Sequence, residues 1–209
     1  MRTNPFADAL DFLFGQTGDH AGLGPFRWIF VVLSLALVIS SFVIAWKNWN
    51  EDPTQRTARN ISLWLVRGVL GGMWLEGCLW KLPFPATDGF KYWLGLTADN
   101  AAFKVYGDVL KALFVPNINI VDPLVFLAEF ALASSLLLGF GVRVVALLGI
   151  GIALNLWIGL YHFQDEWPWT YVFIILLQVL MVTDRTGRAL GLDALLQRRS
   201  ASPLLRQIG

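Results

Sequence analysis

Apolar runs of bilayer length, separated by short polar stretches, set the pattern of this chain. The first run, about Phe26 to Trp46, has no internal charge and reads as an anchor or lipid-facing helix. The second, Ile61 to Lys81 (ISLWLVRGVLGGMWLEGCLWK), holds Arg67 and Glu76 within it and Lys81 at its end. The third runs from Asp122-Pro123 to about Phe140 with Glu129 inside, and Gly139 and Gly141 predict a tight turn after it. Arg143 opens the fourth, which contains Asn155 and ends near Phe163. Trp167-Pro168-Trp169 starts the fifth, which reaches about Thr183 and contains Gln178. The pattern predicts an all-α integral membrane bundle of five transmembrane helices.

The intervening stretches have their own signals. Asn4-Pro5 followed by Phe6, Leu10, Leu13 and Phe14 gives helical spacing behind a cap and a first-position proline. An interfacial helix and a frayed tail both fit it. Lys47 to Asn60 is a polar linker. Residues 82–120 are too polar to span, and Pro83, Pro85 and Asp88-Gly89 break the chain there. Phe103, Tyr106, Leu110 and Leu113 then share one face of an amphipathic helix over Asn100 to Phe114. The tail from Asp184 is basic through Arg185, Arg188, Arg198, Arg199 and Arg206. With five spans the termini lie on opposite sides. An inner tail gathers Lys47, Arg56, Arg59 and Arg143 with it, which places the N-terminus outside and the C-terminus inside. The division expected is an N-terminal segment with an added helix and linker (1–60), a four-helix core (61–196) and a basic tail (197–209).

Composition supports a membrane solvent. Of 209 residues, 56% are hydrophobic and 15% charged, where a soluble domain carries about a quarter charged. A net charge of +1 with no basic block argues against nucleic acid as a partner. Cys78 is the only cysteine, so an intrachain disulfide, a cysteine-ligated cluster and a C-x-x-C redox pair are excluded. His20 and His162 lie near span ends rather than paired within spans. No metal or flavin motif is present, so membrane lipid and other subunits are the partners to expect.

Chemistry concentrates in the spans. Arg67, Gly71, Trp74, Cys78 and Lys81 share one face of the second helix, and Gly68, Gly72 and Glu76 another. The third helix offers a stripe of Glu129, Ala133, Leu136, Phe140 and Arg143, with about 21 Å of rise from Glu129 to Arg143. By rise alone, Arg67 stands about 12 Å from Glu129 along the membrane normal, and Lys81 can approach Glu129 or Glu76 from above. Intramembrane charge either marks a functional site or fixes helix register by pairing. Both readings hold for Arg67 and Arg143, while Glu129 has the character of a proton acceptor or headgroup ligand. Asn155 and Gln178 fit interhelical hydrogen bonding, Cys78 fits packing, and Glu76 fits a partner contact.

The set Arg67, Gly71, Trp74 and Lys81 resembles the first-helix signature of the DoxX/DoxD family of small membrane proteins. The stretch EFALASSLLLGFGVR, Glu129 to Arg143, resembles that family's glutamate, glycine and arginine in the next helix. TGRALGLDALL, Thr186 to Leu196, resembles its C-terminal motif. The resemblance implies a DoxX-like four-helix core, here with an added N-terminal helix, and redox association at a bacterial or archaeal cytoplasmic membrane. DoxD-type members are the membrane subunit of thiosulfate:quinone oxidoreductase, and DoxX-type members join other membrane oxidoreductase assemblies. The first span and Glu76 lie outside the family pattern.

The leading expectation is therefore a membrane subunit of a quinone-linked oxidoreductase complex. Glu129, Arg67, Lys81 and Arg143 would carry proton and charge chemistry, and Glu129, Trp74 and Asn155 would contact the quinone. The alternative is a non-catalytic accessory subunit of a larger electron-transfer complex. A solute carrier is a third reading, which no inverted repeat supports.

Overall fold

The computed structural model describes residues 4–84 and 88–199. It is all-helical, with no strand among the described residues. Asn4 caps α1 (Pro5–Leu13), accepting on its side-chain oxygen from the Phe6 and Ala7 amides at 3.1 and 2.8 Å, with Pro5 in the first turn. Phe6, Leu10 and Phe14 of its predicted face are exposed, whereas Phe12 and Leu13 turn inward. A 3-10 stretch, Gly18–Phe26, leads into α2 (Arg27–Glu51). The helix continues five residues past Trp46, so the linker shrinks to a short turn before α3 (Ala58–Leu79).

One helix replaces the expected break, and a shorter one stands within the helix expected over Asn100 to Phe114, where Leu110 is buried but Phe103 and Leu113 are exposed. Asp88–Asp99 forms α4, with Asp88 in its first turn, and Lys104–Val109 forms α5, continued as a wide turn through Phe114. The Asp88-Gly89 pair marks a helix start rather than a turn, as an acid favours the positive end of a helix dipole. Pro85 and residues 200–209, with Arg206, lie outside the described residues. Next come α6 (Ile118–Leu138), α7 (Val142–Gly159), α8 (Trp169–Thr183) and α9 (Leu192–Arg199). α6 starts four residues before Asp122, so Pro123 sits inside it.

The helices α2, α3, α6, α7 and α8 alternate in direction through the bundle. α3 packs closely on α6, α7 on α8, and α2 on α6. Gly71 permits the first contact, since a Cβ there would stand 3.0–3.1 Å from Leu136 and Leu137. The core gathers Leu75, Leu79, Leu132, Ala133, Leu136 and Met181. Two ends follow from this layout. At the Lys81 end, α4 packs on α7 and on α5, and the N-terminal stretch reaches Leu82 and Pro83 through Gly22. The tail closes the Arg67 end.

α2 (with its lead-in from Gly22), α6 and α7 are long and apolar enough to cross a membrane. α8 is apolar but has only 15 residues. α3 has the length, but Arg59, Arg67 and Glu76 lower its hydropathy. Val69, Ile120, Leu147 and Leu176 are among many large apolar side chains exposed around the bundle, as a lipid solvent allows.

His20 anchors the N-terminal stretch. It is 2% exposed, lies against Phe12 with ring centroids 5.3 Å apart, and its Nδ1 is 3.0 Å from Thr17 Oγ1. Burial pushes its pKa below the usual 6.5; Asp19 opposes that shift and Arg27 adds to it. A depressed histidine pKa contributes stability that is complete above 6.5 and lost as pH falls toward the folded-state value. Hydrogen exchange across residues 15–23, corrected for intrinsic rate, should therefore quicken between pH 7.5 and 5. The dependence should flatten in His20→Phe; an equal pH response in that variant would reject the assignment.

Candidate functional site

The residues singled out in the sequence divide into two clusters at opposite ends of the α3–α6 pair. At one end Lys81, just past α3, places Nζ 2.6 Å from Glu129 Oε2 of α6. It also donates to the Gly77 carbonyl at 2.7 Å and lies over the Trp80 ring, 4.4 Å from its centroid. The pair is sealed, with side chains 5% and 8% exposed. Asp122 is fully buried on the same helix, two turns before Glu129, close enough for its charge to act on it. In the sequence Asp122 reads as the start of a span, and its i, i+7 spacing from Glu129 is the signal that puts both on one side of α6. Cys78 is buried below Lys81, its Sγ 3.2 Å from the Leu75 carbonyl oxygen.

Arg67 belongs to the other cluster. It is 1% exposed, and among the described residues its guanidinium meets no carboxylate oxygen within bonding distance. Nε donates to the Leu136 carbonyl at 2.8 Å, and Nη1 donates to the carbonyls of Thr186 and, at 3.0 Å, Ala189. Leu136 is in the last turn of α6, where carbonyls lack intrahelical partners and the dipole favours a cation. Arg67 is thus a cap for α6 that also grips the tail.

Asp193 completes the arrangement with the opposite charge. Its backbone N–H donates to the Gly139 carbonyl at 2.9 Å, and its Oδ1 accepts from the Gly141 N–H at 2.9 Å, at the positive end of α7. Burial pushes the Asp193 carboxyl above its usual range, against the pull of the Gly141 and Val142 amides, Arg67 and Arg188. Gly139 has φ +69°, and a Cβ there would stand 2.7 Å from Gly191 and 2.8 Å from the Arg67 guanidinium. Only glycine permits both the left-handed turn and that approach. The added helix joins as well: Asn48 of α2 donates to the Gly191 carbonyl at 2.9 Å, and Arg198 pairs with Asp52 at 3.1 Å.

The remaining residues fall elsewhere. The α6 stripe stops at Leu138, because Gly139 reverses the chain, so Arg143 belongs to α7 and is not continuous with Glu129. Trp74 is a core residue. Asn155 lies on the exposed side of α7 and accepts from the Tyr106 hydroxyl, joining α5 to α7. Gln178 of α8 is buried tightly against Gly149 of α7. Glu76 is exposed, and with half-buried Gly68 and Gly72 it lines a groove between α2 and α3, on a different face from Arg67. Among the described residues, no group of three His, Cys, Asp or Glu is placed to hold a metal ion.

Comparison of the chain with known protein families, with curated proteins and with solved structures returns no match.

Proposed function

We propose that this chain is a DoxX/DoxD-like membrane subunit of a quinone-linked oxidoreductase complex. Its own part there is structural: a charge-locked helical anchor for partner chains that carry the redox centres. One observation supports this best. The stretches that resemble the family, around Arg67, the Gly139–Gly141 turn and Thr186–Asp193, are distant in sequence and bonded together at one end of the bundle. Their charges are consumed in holding helix ends. In this reading α2, α3, α6, α7 and α8 are the five crossings, with α3 able to cross because Arg67 is satisfied inside the protein. The tail and Arg67 end face the cytoplasm and the N-terminus lies outside.

A second reading rests on the Lys81–Glu129 pair. A buried carboxylate and ammonium, with Asp122 buried two turns away on the same helix, form a couple that can exchange a proton with a quinone hydroxyl if the pair opens. Purification in mild detergent separates the two. The anchor reading expects partner chains to co-purify, Glu129→Gln to leave quinone reduction by the assembled complex near normal, and disruption of α2 to release the partners. Loss of turnover in Glu129→Gln with assembly and bound quinone intact would replace it with the second reading.

A further inference from the structure

The groove between α2 and α3 is not explained by either cluster. It is an open groove of about 930 Å³ that follows α3 from Trp64 to Glu76, roughly 18 Å of rise. Gly68 and Gly72 form its floor, yet a Cβ at either would meet nothing within 4 Å. These glycines therefore do not bring two helices of this chain together; they leave space. The volume falls in the range of ligand sites, roughly 300–1,000 Å³.

The two ends of the groove differ in chemistry. Phe42, Trp64, Leu65 and Val69 make one end apolar. The other, beneath α1, has Asp8, Asp11, Asp19 and Glu76, and no lysine or arginine lines the groove among the described residues. Glu76 makes no hydrogen bond or ion pair with a described residue. Carboxylates gathered at a low-dielectric rim repel one another and attract a cation. A partner helix is the poorer occupant, because α1 lies across the acidic end where such a helix would have to leave.

We infer that this groove binds a single-chain amphiphile with a cationic head, the chain lying along Gly68 and Gly72 and the head against Glu76 and Asp11. The inference is independent of the redox reading, since it concerns neither Glu129 nor Arg67.

The test uses the full chain in lipid nanodiscs and spin-labelled hexadecyltrimethylammonium as the probe, with the hexadecyl sulfate and hexadecyl maltoside analogues as comparators. The cationic probe should be held about tenfold more tightly than either comparator, as expected of a charge-selected site. Gly72→Leu, whose Cβ meets nothing within 4 Å and whose isobutyl group enters the groove, should abolish the immobilised component. Glu76→Gln should weaken it several-fold while leaving helicity unchanged. Should Gly72→Leu fail to fold, Glu76→Gln decides alone. Equal binding of the three probes, unchanged binding in the variants, or loss of a co-purifying protein from Gly72→Leu with probe binding intact would each overturn the inference.

Discussion

Arg67→Met should unfold in mixed detergent–SDS micelles about 3–5 kcal/mol more easily than the parent chain. Three carbonyl oxygens, those of Leu136, Thr186 and Ala189, lose their donor in the interior. Hydrogen bonds to a charged group are worth about 1.5–3 kcal/mol each, and part of the sum is returned by no longer burying the guanidinium. The loss should also be local. Proteolysis between Thr186 and Asp193 should become fast before the helices melt, because these residues are held to the bundle through Arg67 and the Gly139–Gly141 turn. Arg67→Lys should rescue little, since one ammonium cannot reproduce a planar fork reaching acceptors in two segments. If lysine restores stability, the guanidinium geometry is not what holds this end.

Lys81→Met should be nearly as damaging for a different reason. It leaves Glu129 buried without its cation, an uncompensated charge that costs about 3–5 kcal/mol. The informative comparison is the double variant Lys81→Met with Glu129→Leu. Replacing both partners of a buried pair by apolar groups of similar size is often neutral or stabilising. The double variant should therefore recover most of the loss, and the same micelle titration measures it. A double variant as unstable as the single would mean that the two side chains do not act as a pair.

The two clusters differ in how legible they were. Charge in apolar runs marks Lys81 and Glu129 as a candidate pair, but helix rise leaves Lys81 a choice of Glu129 or Glu76, and only the packing of α3 on α6 decides for Glu129. Periodicity places Arg67, Gly71, Trp74 and Cys78 on one face of α3, and the structure turns that face toward α6 through Gly71 and Arg67. What the pattern could not show was the partner of Arg67. Its acceptors are backbone carbonyls, which every residue carries, so composition gives no sign of which ones are left unpaired. Two are 119 and 122 residues away. The Asn4 cap was readable because its side chain acts on the next three residues, whereas α4 was missed because Asp-Gly marks a turn as readily as a helix start. The groove has no local signature; Gly68 and Gly72 suit close packing and open space equally, and only the position of α2 and α1 decides between them.

The grip of Arg67 on the tail also orders events in time. A ribosome releases α3 more than a hundred residues before Thr186 and Ala189 emerge, so the guanidinium enters the bundle with its acceptors not yet synthesised. Water or lipid headgroups must serve until then. The bundle can close at this end only after the segment carrying Gly187 to Asp193 has been made, and a chain stopped just before it would retain its spans while exposing an unmet charge.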